Sequence, residues 1–147
     1  SGVQLGTPFA VTVEGDAHPN FKAVLANAKP EDIVEFMSVA GLPARAVRTP
    51  WLDRYLAHLA ELERHRKPRG SCTLGWDCLA RCGLRDGTPG TGRFCIDMKL
   101  AAALEGDVQR GLFFRGAGPL PFGNEIRPVR DLVEYMLGLP TGSLPAA

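Results

Sequence analysis

One segment of the sequence, residues 67–92, limits most strongly what the chain can fold into. It is rich in Gly, Pro and Cys, residues that favour turns and loops over long regular elements. Its one helix-like stretch, Asp77–Cys82, is short, and Gly83 is expected to end it. The segment must therefore take its structure from something other than a large apolar face.

The length of the chain sets a second limit. Its 147 residues suit a single domain with one buried core, because domains run to roughly 100–200 residues. A complete (β/α)8 barrel needs about 200 residues at the least, so this chain cannot form one unless part of it is missing. The sequence has no internal repeat and no long linker. We expect one domain over residues 1–147.

Composition and charge exclude several classes of protein. The 17 basic and 16 acidic residues leave a net charge of +1, without the strongly basic balance that marks many nucleic-acid binders. A local basic run at 64–69 follows a helical pattern, which favours a solvated helix end over a phosphate-binding patch. No stretch approaches the roughly 18 apolar residues of a membrane span, and no signal-peptide pattern follows Ser1. We expect a soluble, cytoplasmic protein that binds neither nucleic acid nor membrane.

Hydrophobic periodicity predicts the regular elements. Asp16 is the expected cap of the first helix, and Thr49 followed by Pro50 is the expected start of the clearest one. The predicted strands are Gly2–Gly6, Asp32–Val39 and a return strand at Ala44–Arg48, with a short apolar run at Leu112–Phe114. The predicted helices are Pro19–Ala28, Pro50 through Leu62, Met98–Leu104 and Pro128–Leu137, and the tail Pro140–Ala147 is expected to be loose.

The four cysteines form a candidate metal site, because Cys72, Cys78, Cys82 and Cys95 fall within 24 residues. Cys78 and Cys82 would share one face of the short predicted helix, where converging thiolates could hold a metal. The spacing suits zinc poorly. It is closer to the three-plus-one pattern of iron–sulfur sites in some flavin-dependent reductases, although those begin with a two-residue gap and here the gap is five. Structural thiols, a four-cysteine cluster and disulfides all stay open.

The opening segment, Gly2–Thr7, has the residues of a phosphate-binding loop. Glycine allows a backbone N–H to approach an anion, threonine adds a hydroxyl donor, and a following helix would add its positive end. A strand that ends in Gly-Thr is also a common turn. Both interpretations stay open on these residues alone.

The segment Gly2–Phe9 resembles the last barrel strand and loop of the nitronate monooxygenase family, formerly called 2-nitropropane dioxygenases. Later blocks agree with that family in order and spacing. They are His18–Lys22, Gly41–Arg48, Cys78-Leu79 with Cys82-Gly83, Phe94–Ile96, and Gly106–Val108 leading to Gly111–Phe114. The match covers nearly the whole chain, which is similar to the C-terminal portion of the family.

The resemblance implies an α/β fold, the C-terminal part of a (β/α)8 TIM-barrel flavoenzyme that uses FMN. This chain would supply the last strand and loop plus a mixed, mainly helical accessory region, and the barrel would be incomplete. The implied regions are the end of the barrel with the phosphate loop (1–30), a strand pair and long helix (31–66), the Cys/Gly-rich segment (67–97) and C-terminal helices with a tail (98–147). The family's reaction joins an alkyl nitronate and oxygen to give a carbonyl compound and nitrite, and its catalytic histidine lies upstream of this sequence.

Residue by residue, the resemblance implies that Gln4, Gly6 and Thr7 form one side of the FMN phosphate site. It also implies that Phe113, Phe114 and Arg115 line the substrate side, although a Phe-Phe pair is often core. The three histidines are poor candidates for a catalytic base because no convergent partner is evident. They are His18, at the start of a helix, and His58 and His65, on the long helix.

Further expectations concern the activity and its rivals. The isolated chain is expected to be inactive, and the exposed edge of the strand Gly2–Gly6 predicts self-association or a missing N-terminal barrel portion. The substrate is expected to be a small molecule. Alternative functions are an NAD(P)H-dependent quinone or enoyl-thioester reductase of the same fold, a four-cysteine iron–sulfur or metal-binding module, and a catalytically silent domain.

Overall fold

The computed structural model describes residues 2, 4–65, 72, 75 and 78–144 of the chain. They form a mixed α/β structure with short helices and a two-stranded sheet. The elements in chain order are α1 (Thr7–Ala10), α2 (Pro19–Asn27), a 3-10 turn (Pro30–Asp32), β1 (Ile33–Met37), β2 (Pro43–Val47), α3 (Pro50–Ala57), α4 (Leu59–Arg64), α5 (Gly83–Asp86), α6 (Ile96–Leu104) and α7 (Val129–Leu137). No helix in the described part is long and apolar enough to cross a bilayer.

Strands β1 and β2 form an antiparallel hairpin in which Glu35 lies opposite Arg45. The hairpin confirms the strand pair predicted from the sequence, although β1 is one residue shorter at its start and two at its end, and β2 begins and ends one residue earlier than predicted. Gly41 adopts a φ of 78° in the connection, a left-handed conformation that glycine accepts without steric cost. The strands form because an apolar, β-branched run meets its partner after a short turn.

The apolar run Leu112–Phe114 adds a third extended segment to the hairpin. Phe114 forms an antiparallel bridge with Ala46, and the N–H of Val47 donates to the carbonyl of Phe113 at 2.9 Å. The N–H of Arg115 donates in turn to the carbonyl of Arg45 at 3.1 Å. The backbone hydrogen-bonding groups on the outer edge of β2 are thereby paired with residues far away in sequence.

Two apolar clusters lie on either side of this extended layer. The larger one contains side chains of the hairpin and of α3 together with the Phe94 ring. Its fully buried members include Val39, Ala46, Leu52 and Leu112. The second cluster packs α2 and α6 against the other side, with Leu25, Ala103 and Phe113 almost or wholly inaccessible. Burial of this kind contributes roughly 25 cal/mol for each Å² of apolar surface removed from water.

Helix α2 begins where the sequence predicts but is capped by a different residue. His18, not Asp16, is the N-cap, and its ring Nδ1 accepts the backbone N–H of Asn20 at 3.1 Å. Pro19 explains the position, because proline is favoured at the first helical position and leaves the residue before it as the cap. The helices predicted at Met98–Leu104 and Pro128–Leu137 are confirmed as α6 and α7.

The long helix predicted from Pro50 is divided into α3 and α4 at His58. The ring Nδ1 of His58 lies 2.7 Å from the carbonyl of Arg54, a local contact at the point where the helix changes. Thr49 precedes the helix as predicted, but its hydroxyl makes no cap hydrogen bond and donates instead to the carbonyl of Gly111 at 3.4 Å. A long-range contact therefore replaces the local one.

The helix predicted over Asp77–Cys82 is wrong for the residues that the structure describes there. Cys78 to Cys82 are non-helical, and Gly83 begins the single-turn helix α5 instead of ending one. A Cβ added at Gly83 would lie 2.2 Å from the carbonyl oxygen of Gly92, so only glycine allows the two backbones to approach so closely. That contact, invisible in local periodicity, fixes where the helix begins.

The strand predicted at Gly2–Gly6 is also absent from the described part of that segment. Gly2, Gln4 and Leu5 have no regular structure, Gly6 lies in a bend, and α1 follows directly. A strand needs a hydrogen-bonded partner, and the outer edge of β2 is already taken by residues 113–115.

The tail from Pro140 is held in place as far as Leu144, contrary to the expectation of a loose end. The fully buried carboxylate of Glu134 accepts the backbone N–H groups of Gly142 and Leu144 at 2.6 and 2.7 Å. Residues 145–147 lie outside the described residues. A single buried acid on α7 thus orders the turn that follows it.

Candidate functional site

An open cleft of about 590 Å³ lies between the N-terminal segment, α2 and the extended layer. Gly6 and Thr7 line one side, and Phe114 and Arg115 line the other. The two sides meet where the N–H of Gly116 donates to the hydroxyl oxygen of Thr7 at 3.4 Å, across 109 residues of sequence. Four of the six residues that the family resemblance implicates in cofactor or substrate binding therefore border one cleft.

The N-terminal side of the cleft is formed by the start of α1. Phe9 and Ala10 donate their N–H groups to the carbonyl of Gly6, both at 3.1 Å, and Pro8 has no N–H. The N–H of Thr7 thus belongs to the unsatisfied start of α1. A Cβ placed on Gly6 would meet nothing within 4 Å, so the backbone there faces open space.

Arg115 brings a buried positive charge to the opposite side. Its side chain is only 6% exposed; Nε donates to the carbonyl of Leu25 at 2.7 Å and Nη1 to the carbonyl of Gly116 at 2.9 Å. Desolvation lowers the pKa of Arg115, yet a guanidinium stays protonated at neutral pH. Within the described part of the chain, no carboxylate forms an ion pair with it.

In addition to Arg115, a pair of opposite charges lies at the mouth of the cleft. Arg45 and Glu35, which face each other across the hairpin, form an ion pair at 2.9 Å, and each side chain is more than half exposed. An exposed pair of this kind is worth at most about 1 kcal/mol and is screened by salt. The pair is neutral overall, so the net charge of the cleft comes from Arg115.

Two of the implicated residues do not border the cleft. Gln4 is exposed and contributes nothing to the lining. Phe113 is fully buried in the second apolar cluster, with its ring 5.7 Å from that of Phe21. Phe114 points the other way and lies parallel to Phe36 at 6.3 Å, as strand alternation requires. Phe113 is therefore a core residue, whereas Phe114 both packs against the first apolar cluster and borders the cleft.

Some residues of the cleft were missed by sequence reasoning. Glu35 and Arg45 are opposite partners in the predicted hairpin, so strand register alone would have placed their side chains together. The carbonyl of Leu25 had no such signal, because the approach of α2 to Arg115 spans 90 residues. The sequence therefore contained a signal for the pairing of Glu35 with Arg45, but none for the contact between Leu25 and Arg115.

The cysteines do not form the cluster that a shared helix face suggested. Cys78 is exposed, Cys82 is buried at the start of α5, and Cys72 and Cys95 are half-buried. Across the described ranges, no group of three or more His, Cys, Asp or Glu side chains is arranged to hold a metal ion. The helix that would have aligned Cys78 with Cys82 does not form.

None of the histidines lines the cleft. His18 caps α2 and packs over Gly106, where a Cβ would lie 2.2 Å from its ring. His58 and His65 are exposed at the ends of α4. The cleft therefore offers hydrogen-bond donors, a cation and an aromatic wall, which are means of binding an anion, and the Glu35 carboxylate on its border is paired with Arg45.

The chain is similar to proteins of known family and structure. The sequence model of the nitronate monooxygenase family matches residues 1–138. FabK from Thermotoga maritima has a similar solved structure, with a TM-score of 0.60 and 27% identity over 94% of this chain and 36% of that one. A mutant of the same FabK gives a TM-score of 0.57 and 28% identity over 93% and 33% of the two chains.

The chain spans about a third of the length of these two solved structures. No curated protein matches its sequence. The family match extends from the N-terminal segment through the extended layer to the end of α7, and so includes every residue that borders the cleft. The chain therefore belongs to the nitronate monooxygenase family of oxidoreductases.

Proposed function

We propose that the chain is the C-terminal part of an FMN-dependent TIM-barrel oxidoreductase that converts an alkyl nitronate and oxygen to a carbonyl compound and nitrite. The observation that carries the proposal is the meeting of Gly6 and Thr7 with Arg115 at one cleft. The family match and the partial coverage of longer TIM-barrel structures support it. We expect the isolated chain to be inactive, because its sequence holds one side of the site.

The donors of the cleft fit the phosphate end of FMN. A phosphate is a compact anion that accepts several hydrogen bonds, and Thr7 and Gly6 offer a hydroxyl and backbone N–H groups. Arg115 supplies a buried cation that no described carboxylate neutralises. Since Nε and Nη1 already donate to carbonyls, Nη2 is the nitrogen left to meet a phosphate oxygen.

When bound, FMN supplies the redox chemistry. The residues of this chain hold and orient it. Arg115 and Thr7 fix the phosphate, and Phe114 provides an apolar wall beside them that limits the access of water. Glu35 and Arg45 neutralise each other at the mouth, so the phosphate of FMN would meet no unpaired carboxylate there.

The alternative for the same fold is NAD(P)H-dependent reduction of a quinone or an enoyl thioester. Both reactions use the same flavin site, so the cleft does not separate them. Turnover measurements distinguish the two reactions. Steady oxidation of NAD(P)H without nitronate supports the reductase, whereas nitronate-dependent oxygen uptake with nitrite release supports the monooxygenase.

The proposal is tested by comparing anaerobic absorption spectra of this chain and of a protein extended upstream through a complete barrel. We expect the chain to be colourless and the longer protein to be yellow and to form nitrite from a nitronate. A longer protein that stays colourless or forms no nitrite would overturn the proposal, and a brown chain that contains iron and sulfide would restore the four-cysteine module as a cofactor site in its own right.

The role of Arg115 is tested in the longer protein by the ratio of its Kd values for riboflavin and FMN, which differ in the phosphate. Arg115→Gln should reduce that ratio by about tenfold, since a charge-assisted hydrogen bond of roughly 1.5 kcal/mol is lost. The matched control is Arg48→Gln, which removes an exposed arginine that borders no part of the cleft. An unchanged ratio in Arg115→Gln would remove this residue from the phosphate site.

A further inference from the structure

A second concave surface lies between α3 and α6 and shares no lining residue with the cleft. It has a volume of about 440 Å³, within the range of small-molecule sites. We call it the cationic groove. Its polar lining consists of Arg54, Tyr55, His58, Arg93 and Lys99.

The charge of the cationic groove is one-sided. Arg54, Arg93 and Lys99 border it, and no Asp or Glu among the described residues does. In the part of the chain that the structure describes, none of the three forms an ion pair with a carboxylate. Arg54 and Arg93 donate instead to the carbonyls of Gln109 and Gly83, at 2.7 and 2.8 Å. These contacts orient the two guanidinium groups without neutralising them.

Lys99 packs its charged end against the aromatic wall of the groove. Its Nζ lies 4.9 Å from the centre of the Trp51 ring. Burial lowers the pKa of Lys99, and the charges of Arg110 and Arg54 lower it further, while Asp107 and Cys95 act in the opposite direction. A cation that is partly desolvated and faces other cations gains stability from a bound anion.

The rest of the wall is apolar and firmly packed. Trp51 and Tyr55 lie nearly parallel at 5.4 Å, and Phe94 meets both edge-on at 5.3 and 5.2 Å. Leu84 and Met98 extend this wall. The hydroxyl of Tyr55 accepts the N–H of Arg93 at 3.0 Å, which leaves its own proton free for donation.

We propose that the cationic groove is a binding site for a small organic anion, with a phosphate or carboxylate among Arg54, Arg93 and Lys99 and an apolar portion against Phe94, Leu84 and Met98. The rigid aromatic wall and the oriented guanidinium groups keep the ordering cost of binding low. The site is independent of the cleft that the proposed function uses.

The test is a titration of this chain followed by amide NMR, with four probes. Phenyl phosphate and benzoate carry both an anion and a ring, inorganic phosphate lacks the ring, and benzyl alcohol lacks the charge. We expect the two aromatic anions to shift the signals of Arg93, Cys95 and Lys99 and to bind at least tenfold more tightly than either partial probe. The stronger of the two identifies the anionic group that the site prefers.

Lys99→Gln is the decisive variant because it removes the charge of Nζ, which makes no hydrogen bond within the described residues and contacts only the face of the Trp51 ring there. We expect it to weaken the binding of phenyl phosphate and benzoate by about tenfold, and Lys99→Arg to restore most of the affinity. The matched control, Lys29→Gln, removes an exposed lysine outside the groove and should leave Kd unchanged.

Three results would overturn the proposal. They are equal affinity for benzyl alcohol and phenyl phosphate, equal effects of Lys99→Gln and Lys29→Gln, and the absence of shifts at Arg93–Lys99 up to 10 mM of either aromatic anion, roughly the weakest affinity worth calling a site. Flavin titrations of the cleft give a separate readout at Gly6 and Thr7. Failure of one site therefore leaves the other to be judged on its own data.

Discussion

The hairpin and the N-terminal segment look alike in sequence and differ in structure. Both are short runs predicted as strands and followed by turn residues, but β1 finds β2 six residues later, whereas Gly2–Gly6 finds no partner in the described part of the chain. An apolar run becomes a strand only when a second chain segment satisfies its backbone. Local pattern therefore decided the hairpin and could not decide the N-terminal segment.

The two sides of the cleft also differ in how firmly hydrogen bonds hold them. Arg115 is fixed by its backbone hydrogen bond to Arg45 and by side-chain bonds to Leu25 and Gly116. Thr7 is tied to the far side by one long hydrogen bond of 3.4 Å. Changes on the extended-layer side should therefore cost stability as well as binding, and changes on the N-terminal side should cost mainly binding.

The largest expected effect comes from Phe113→Ala. This side chain is fully buried, and the cavity that it would leave should lower the free energy of unfolding by about 3–5 kcal/mol. The matched change in the N-terminal segment, Phe9→Ala, removes a ring that is 37% exposed and should cost less, about 1–2 kcal/mol. Urea unfolding measures both, and equal costs would erase the contrast between the two regions.

A smaller effect is expected from adding one methyl group at Gly83. The new Cβ would lie 2.2 Å from the carbonyl oxygen of Gly92, so Gly83→Ala should destabilise the chain by about 1–3 kcal/mol. Gly116→Ala, at the rim of the cleft, meets nothing within 4 Å and should be nearly neutral. Thermal unfolding compares the two, and a tolerant Gly83 would mean that α5 does not depend on this close approach.

The buried acid of α7 should make stability depend on pH. Hydrogen bonds from the backbone of Leu144 and Gly142 hold the pKa of Glu134 below its ordinary value. Its contribution is therefore fully present above the unfolded carboxyl pKa of about 4.3 and is lost as pH falls through the lower folded value. Glu134→Gln should unfold at a lower temperature at pH 7 and approach the wild type near pH 3. A constant difference between the two proteins would argue against an ionised Glu134.

The smallest effect on stability is expected at Thr7. Thr7→Ala loses one long hydrogen bond at an accessible site and should change the free energy of unfolding by less than about 0.5 kcal/mol. It should nevertheless weaken the binding of inorganic phosphate several-fold, because a donor to the anion is lost. A stability loss as large as that of Gly83→Ala would mean that the N-terminal segment is as firmly fixed as the hairpin.

Sequence reasoning predicted the elements whose causes are local. The periodic helices α2, α6 and α7 and the hairpin carry their own patterns and stop signals. The missed features have causes far away in sequence: Gly92 sets where α5 begins, and Glu134 orders the turn at Gly142.

Some residues of the candidate site could likewise be predicted from the sequence and others could not. Gly6, Thr7, Phe114 and Arg115 came from the family resemblance, and the structure brings them to one cleft. Phe113 does not join them because alternation along the extended segment turns neighbouring side chains to opposite faces. Register could have supplied Glu35 and Arg45, whereas nothing local pointed to the carbonyl that orients Arg115.

The central claim is that Arg115 and the N-terminal donors form one side of a phosphate site. The most direct measurement is an amide NMR titration of this chain with inorganic phosphate, repeated for Arg115→Lys and Arg48→Gln. The claim predicts shifts concentrated at Gly6, Thr7 and Gly116, weakened in Arg115→Lys and unchanged in Arg48→Gln. Shifts that avoid these three amides, or that are the same in Arg115→Lys, would contradict it.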